Sequence, residues 1–113
     1  MKLITAVIPQ DRLEDVKDAL KAEGVTGLTV TVAQGFGRRG GEKKIWRGAE
    51  HVVDLQPKLR LEMVVPGRAE AERVVNVLVR STGPGPVGEG KVWVGDVDWV
   101  VSLRTGEMND DAL

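Results

Sequence analysis

The amino-acid sequence predicts an α+β fold in which a four-stranded antiparallel sheet carries two helices on one face. Apolar runs that are typical of strands start near Leu3, Thr26, Leu59 and Lys91, and apolar residues at helical spacing follow the first and the third of these runs. The order is therefore βαββαβ, which two split βαβ units form in a ferredoxin-like sandwich. With 113 residues, the chain is long enough for one domain with a single modest core.

Three elements are predicted in the first half of the chain. Residues 3–9 are apolar and β-branched, which predicts a buried strand. A helix follows, because Asp11 with Glu14 resembles a capping box and Gly24 is a stop signal. The apolar stripe of this helix consists of Leu13, Val16 and Leu20. Residues 26–34 alternate between apolar and polar side chains and predict a half-buried strand.

The second half repeats this order. Residues 59–65 alternate and predict a third strand, after which a helical stripe runs to the break at residues 83–86. This stripe consists of Ala71, Val74, Val75, Leu78 and Val79. Residues 91–103 predict the last strand, with a bulge near Gly95 where the alternation changes phase. The polar tail 108–113 is expected to be loose or docked on a neighbour.

Between the two halves, residues 37–54 show no regular core stripe. A stretch of this length indicates either a functional loop or a wrong assignment. Its charged residues up to position 47 are Arg38, Arg39, Glu42, Lys43, Lys44 and Arg47, and glycines stand at positions 35, 37, 40 and 41. Glycine and arginine together can cradle phosphates or carboxylates through backbone N–H groups and guanidinium contacts. Taken alone, however, the pattern fits a solvated loop better.

Two shorter segments are also candidates for binding an anion. The first is the run Gly88-Glu89-Gly90-Lys91, where glycines beside a lysine can wrap a phosphate, although it is not a Walker pattern and a simple turn is the default interpretation. The second is Arg104, which follows the last strand and could reach an anion across an interface. Its alternative interpretation is a charge at a strand end.

Composition argues against several classes of function. The chain has no cysteine, and His51 is its only histidine, so a cysteine- or histidine-based zinc site is not expected. A net charge of −1 gives no basic field for nucleic acid. No nucleophile motif or carboxylate pair is evident, and Asn76 and Asn109 are poorly placed for an acylphosphatase-like site. We therefore expect neither an enzyme nor a nucleic-acid-binding protein.

Three further expectations concern location and partners. No apolar run approaches a membrane span and no signal-peptide pattern is present, so a cytoplasmic protein is expected. The predicted strands carry apolar residues on both faces, while two helices cover only one face, which predicts self-association. Trp46, a large aromatic residue in the long loop, is a candidate anchor for a partner protein.

Several short stretches of the sequence together match the pattern of a known protein family. They are residues 1–6, 27–31, 35–38, 47–50, 53–54, 57–58, 88–91 and 104–107, which occur in the same order and at nearly the same spacing as in that family. With them, the chain resembles the P-II signal-transduction (nitrogen regulatory) proteins over essentially its whole length. The resemblance implies a single P-II-like domain over residues 1–113, a homotrimer, and a T-loop at about residues 37–55.

The resemblance also implies a ligand and a mode of regulation. Adenine nucleotide, ATP or ADP, is expected in the clefts between subunits. The positions that match the family's nucleotide contacts are Thr29, Gly37, Arg38, Val64, Gly88, Glu89, Gly90, Lys91 and Arg104. The T-loop is expected to dock into a target, a membrane transporter or an enzyme of nitrogen metabolism. Its candidate contact residues are Lys43, Lys44, Trp46, Arg47, Glu50 and His51.

In the family, 2-oxoglutarate binds beside a magnesium ion on ATP. The positions that match this small-anion site are Arg39, Gly41 and Lys58. Arg39 replaces the family's glutamine, and a guanidinium has no lone pair for a metal, so the magnesium ion stays an open question. The alternative is a divergent sensor that reads another small anion, such as bicarbonate, or the nucleotide state, without responding to 2-oxoglutarate.

Other departures bear on regulation and nucleotide preference. The chain has no tyrosine, which excludes tyrosyl nucleotidylation. Pro86 stands where a basic residue is common, and Ser102 where a second phosphate-binding arginine is common. The loss of these two positive charges weakens the expected contacts to a triphosphate and favours ADP or AMP, an effect that Arg39 could partly offset.

Overall fold

The computed structural model describes residues 1–37, 42–46, 48–53, 55–83 and 90–113, and for 42–46 and 49–53 it describes the main chain only. Its strands are β1 (Lys2–Pro9), β2 (Thr29–Gly35), β3 (Glu42–Trp46), β4 (Ala49–Val53), β5 (Gln56–Val65) and β6 (Lys91–Asp96). Its helices are α1 (Leu13–Ala22) and α2 (Arg68–Thr82). One 3-10 turn, Gln10–Arg12, precedes α1, and another, Asn109–Ala112, lies near the C-terminus.

The main sheet has four antiparallel strands in the order β2-β5-β1-β6, so β5 and β1 are central and β2 and β6 are the edges. Both helices lie on one face of this sheet and pack against each other. This arrangement confirms the predicted ferredoxin-like sandwich. Strands β3 and β4 form a separate two-stranded sheet, inserted between β2 and β5.

The core lies between the helices and the sheet face that they cover. Its buried residues are Ile4, Ala6 and Ile8 on β1, Leu59, Leu61, Met63 and Val65 on β5, Val16 and Leu20 on α1, and Ala71, Val74, Val77 and Leu78 on α2. The stripes predicted for β5 and α1 are therefore confirmed, apart from the half-buried Leu13. In α2 the prediction of Val79 is wrong, because this residue is 60% exposed and lies roughly 130° from the centre of the buried stripe.

Three local predictions need correction. No side chain caps α1, because the 3-10 turn leads the chain into the helix, so the Asp11–Glu14 capping box is wrong. The last strand ends at Asp96 rather than near residue 103. The start of the tail is held by its own chain and is not loose, since Val101 pairs with Met108 and the Asn109 N–H donates to the Val100 carbonyl at 2.8 Å, while docking of the tail on a neighbour stays a prediction.

The expected stop signals are confirmed at both helices. Gly24 has φ of 93° just after α1, and Gly83 has φ of 61° at the C-cap of α2. A positive φ is disfavoured for residues with a β-carbon, so glycine suits both positions. Residues 37–54, which showed no core stripe in the sequence, include the β3–β4 hairpin.

A surface ion pair joins the start of β1 to the end of β6. Lys2 and Asp96 are cross-strand partners, and the Lys2 ammonium donates to the Asp96 carboxylate. This hydrogen bond, with the charge of Lys2, lowers the pKa of Asp96. The pKa of Asp96 is therefore lower in the folded state than in the unfolded state. The pair stabilises the protein at pH values above the unfolded-state pKa, and this contribution is lost as the pH falls through the folded-state pKa.

We therefore expect Asp96→Asn to lower the urea midpoint of unfolding slightly at pH 7. The difference from the wild type should be constant down to about pH 5 and shrink below the ordinary aspartate pKa of about 3.9. Parallel urea titrations across this pH range measure it. Asp98→Asn is the control, because Asp98 is an exposed carboxylate for which no described ion pair is found. An Asp96→Asn deficit that grows on acidification would contradict the assignment.

Candidate functional site

The sheet face opposite the helices, which we call the open face, carries polar residues in rows that cross all four strands. One row consists of Thr31, Arg60, Val7 and Lys91, and the next of Thr29, Glu62, Thr5 and Trp93. Directly opposite residues of an antiparallel pair point to the same face, so the side chains of each row share one surface. The register therefore brings residues from four distant parts of the sequence side by side.

Positive charge dominates this surface. Its charged residues within the main-sheet strands are Lys58, Arg60, Glu62 and Lys91. The Arg60 Nε donates to Glu62 Oε1 at 3.0 Å, which gives the one carboxylate of the set a cationic partner and leaves its second oxygen as an acceptor. Within the described part of the chain, neither Lys58 nor Lys91 has an ion-pair partner. Two lysine ammonium groups on the open face thus have no carboxylate partner in the described ranges, which suits an anionic ligand.

The centre of the open face is both apolar and polar. Thr5 is 2% exposed, whereas Trp93 beside it on edge strand β6 is 50% exposed. Leu3, Val7 and Val64 are half-buried on the same face. A half-exposed tryptophan with aliphatic neighbours is a typical contact surface for another molecule or subunit.

A close backbone approach lies where the chain enters β6. A β-carbon placed on Gly90 would stand well inside van der Waals contact with the Val7 carbonyl oxygen, and 3.4 Å from the carbonyl carbon of the same residue. The next residue, Lys91, is the cross-strand partner of Val7. Position 90 therefore requires a residue without a side chain, because a β-carbon would collide with the main chain of Val7.

The segment after β6 ends in a tight turn that carries Arg104. The Ser102 N–H donates to the Glu107 carbonyl and the Gly106 N–H to the Ser102 carbonyl, both at 2.8 Å. Gly106 has φ of 76°, which the turn requires. Arg104 and Leu103 are exposed on this turn, so the guanidinium is free to reach a group outside its own sheet.

Comparison with known proteins decides the family. The family profile described as nitrogen regulatory protein P-II matches residues 1–107. Nitrogen regulatory protein P-II 1 of Escherichia coli K12 is 43% identical over 113 residues, all of both chains. The P-II proteins of Klebsiella oxytoca and Pasteurella multocida are 42% and 41% identical, again over the full length of both chains.

The chain belongs to the P-II family. The resemblance found in its short sequence stretches is therefore confirmed. As a P-II protein, the chain is a signal-transduction regulator and not an enzyme, in agreement with the sequence-based expectation.

The structure of this P-II protein brings several predicted site residues to the open face. Thr29 lies opposite Glu62, with Val64 two residues further along β5. Lys91 ends the row of Arg60 at edge strand β6, and Lys58 lies two residues before Arg60 on β5. Arg104 is not part of these rows, because it belongs to the C-terminal turn. Gly37 is exposed just beyond the end of β2.

The remaining predicted site residues are only partly covered. Arg38, Arg39, Gly41, Arg47, Gly88 and Glu89 lie outside the described residues. For Lys43, Lys44, Trp46, Glu50 and His51 the main chain alone is described, and it places them on the β3–β4 hairpin, with Lys44 opposite His51. These predictions stay predictions.

Sequence reasoning missed two members of the open face, Thr5 and Arg60. Thr5 looked like part of an apolar strand, and Arg60 like an outward-facing charge. Only the strand register shows that they share rows with Thr29 and Lys91. A sequence signal existed in the alternation of Lys58, Arg60 and Glu62 against the buried residues of β5, which puts all three charges on one face.

Two negative findings apply to the described ranges alone. Among these residues, no group of three or more histidine, cysteine, aspartate or glutamate side chains is placed to hold a metal ion. None of their helices combines the length and the apolar character needed to cross a membrane.

Proposed function

We propose that this P-II protein binds adenine nucleotide, ATP or ADP, between the subunits of a homotrimer and controls a partner protein through its T-loop, residues 37–55. The observation that carries the proposal is the open face. It combines two lysine ammonium groups that have no ion-pair partner among the described residues with hydroxyl, carboxylate and apolar side chains, and the helices of the same chain lie on the opposite face. An anionic ligand with an apolar part fits this composition.

The edges of the sheet support the proposed ring of subunits. Strands β2 and β6 are different edges, and each exposes apolar side chains, Val30 and Val32 on β2, Trp93 and Val94 on β6. A contact between two unlike edges is heterologous, and such contacts close into rings when the rotation allows. Burial of these edges and of the open face would remove the exposed apolar surface from water.

The distribution of side chains supports a nucleotide in particular. Thr29 and Val64 lie near Glu62, a set that offers a hydroxyl, an aliphatic surface and a carboxylate acceptor for a base that carries an amino group. Lys91 and Arg104 supply positive charge for phosphates. Gly37, Arg38, Gly88, Glu89 and Gly90 complete the proposed nucleotide contacts on the ground of the family resemblance.

A second ligand is proposed at Lys58, with Arg39 and Gly41. Lys58 lies opposite Ala33 and has no carboxylate partner among the described residues. Either 2-oxoglutarate with magnesium or, as the alternative, another small anion such as bicarbonate would suit a free ammonium group. Arg39 favours the alternative, because a guanidinium repels a metal ion and pairs directly with carboxylates.

The proposed partner is a membrane transporter or an enzyme of nitrogen metabolism. The β3–β4 hairpin gives the T-loop a main-chain framework between β2 and β5. Its proposed contact residues are Lys43, Lys44, Trp46, Arg47, Glu50 and His51. Aromatic and basic side chains of this kind are frequent anchors in protein interfaces.

Isothermal titration of the purified protein with ATP, ADP and AMP, each with and without magnesium and 2-oxoglutarate, tests both ligands. We expect one nucleotide per chain, with ADP or AMP bound at least as tightly as ATP, because Ser102 and Pro86 supply no charge for a third phosphate. We also expect 2-oxoglutarate to leave nucleotide binding unchanged. Magnesium-dependent 2-oxoglutarate binding with ATP would rule out the bicarbonate-type alternative, and no nucleotide binding at all would refute the proposed function.

A further inference from the structure

The close approach of the Gly90 main chain to strand β1 affects the position of the neighbouring charged residue, Lys91. A β-carbon at position 90 would collide with the Val7 carbonyl oxygen and lie 3.5 Å from the Ile8 Cα. These are main-chain atoms of central strand β1, which is paired on both sides with β5 and β6. The strand therefore has little freedom to move away, and the chain at Gly90 would have to shift by roughly 1 Å to restore ordinary contact distances.

The residue that such a shift would displace most is Lys91. It is the first residue of β6, its partner on β1 is Val7, and the next residue across the row is Arg60. No residue before Lys91 belongs to β6, so nothing else in that strand anchors its N-terminal end. The remainder of β6 keeps its own partners on β1, from Ala6 to Lys2.

We propose that Gly90 is a positioning residue, whose missing side chain holds the Lys91 ammonium group at its place on the open face for a phosphate. This inference rests on the proposed nucleotide site. This role is additional to the ligand contact proposed above for Gly90, because here Gly90 acts through the packing of its main chain on Val7. Bidentate and charged contacts to phosphate are sensitive to position, so a displaced Lys91 loses its contact while the fold stays intact.

A glycine elsewhere in the same strand provides the matched control. A β-carbon on Gly95 meets no atom within 4 Å, although Gly95 also lies in β6 and pairs with Leu3 of β1. Alanine at position 95 therefore changes the chain by the same single methyl group without a steric conflict. A difference between the two variants reports the Gly90–Val7 approach and not the general effect of alanine in a strand.

The experiment compares Gly90→Ala, Gly95→Ala and the wild type by two measurements. Titration calorimetry gives the dissociation constant for ADP, and we expect Gly90→Ala to weaken it roughly 10- to 100-fold, as for the loss of one charged hydrogen bond. Limited digestion with trypsin, without nucleotide, gives the rate of cleavage after Lys91, and we expect a clear increase in Gly90→Ala. Gly95→Ala should match the wild type in both.

A core variant separates positioning from stability. Val74→Ala lowers the stability by removing buried methyl groups of α2, away from the open face, and we expect its ADP affinity to be unchanged. Equal weakening of ADP binding in Val74→Ala and Gly90→Ala would overturn the positioning role, as would wild-type ADP affinity in Gly90→Ala. If the wild type binds no nucleotide, the proposed function fails, but digestion still decides the Gly90–Lys91 coupling, which equal cleavage rates would refute.

Discussion

Leu61→Ala lowers the free energy of unfolding by about 2–5 kcal/mol, which is the range for removing a buried leucine side chain from a packed core. Leu61 is fully buried and lies on central strand β5, with Ala6 of β1 on one side and Val30 of β2 on the other. The helices cover this face of the sheet, so the cavity cannot fill with water at low cost. Urea unfolding at fixed protein concentration measures the loss, because the stability of an oligomer depends on concentration.

The matched control for this prediction is Val79→Ala. Val79 belongs to the predicted apolar stripe of α2, yet it is 60% exposed, and its truncation should change the free energy of unfolding by less than about 0.5 kcal/mol. Equal losses in Leu61→Ala and Val79→Ala would contradict the position of the core described above, and would suggest that Val79 is buried in an assembly.

Trp93→Glu is expected to convert the proposed homotrimer into monomers. Trp93 presents a half-exposed ring on edge strand β6 and on the open face, and truncation of such an aromatic anchor often costs an interface roughly 2 kcal/mol or more. A carboxylate at this position adds the cost of burying a charge. Light scattering coupled to gel filtration should show the mass fall from three times to once the chain mass of 12.2 kDa.

Val79→Glu serves as the control for the charge itself. Val79 is about as exposed as Trp93 but lies on a helix, on the side of the sheet away from the open face. This variant should keep the mass of the wild type. If Trp93→Glu also keeps it, with an unchanged elution volume, the open face is not the surface by which subunits associate.

Much of the fold could be predicted because the buried residues of this chain recur at the regular spacings of strands and helices. The alternation of Leu59, Leu61, Met63 and Val65 and the spacing of Val16 and Leu20 are confirmed by their burial. The β3–β4 hairpin was not predicted as strands, since three of the five residues of Glu42–Trp46 are charged and the segment offers no core-facing alternation to detect. Its pairing is a property of two segments together, which a pattern in one segment does not show.

The end of β6 was predicted wrongly for a different reason. The alternation of Val97, Trp99 and Val101 looks like a continued strand, but the neighbouring strand β1 begins at Lys2. Lys2 is the partner of Asp96, and the Val97 N–H donates to the Met1 carbonyl at 3.1 Å. The length of β6 thus matches the extent of its partner strand β1 and does not follow from the residues of β6 alone.

Single candidate residues could be picked out from the sequence, but the surface that they form together could not. Lys91 and Lys58 were singled out from short motifs, while the rows that place them with Arg60 and Thr5 depend on the register of four strands. Register is set by which faces are buried and by the connections between strands. The sequence therefore predicts candidate anion-binding residues one at a time, whereas their arrangement on one surface depends on the sheet.

The position of the β3–β4 hairpin has a consequence for how this protein can diversify. Strands β2 and β5 are neighbours in the main sheet, and their ladder ends at the pair Gly35 and Gln56. Everything between these two residues is an insertion closed at its base, whose doubling in length would cost only about 0.6 kcal/mol of loop entropy. The proposed partner contacts lie inside this insertion, and so do four proposed ligand contacts, Gly37, Arg38, Arg39 and Gly41. On the proposed function, relatives can therefore acquire new partner specificity by changing the tip of the insertion, provided that its first residues are kept.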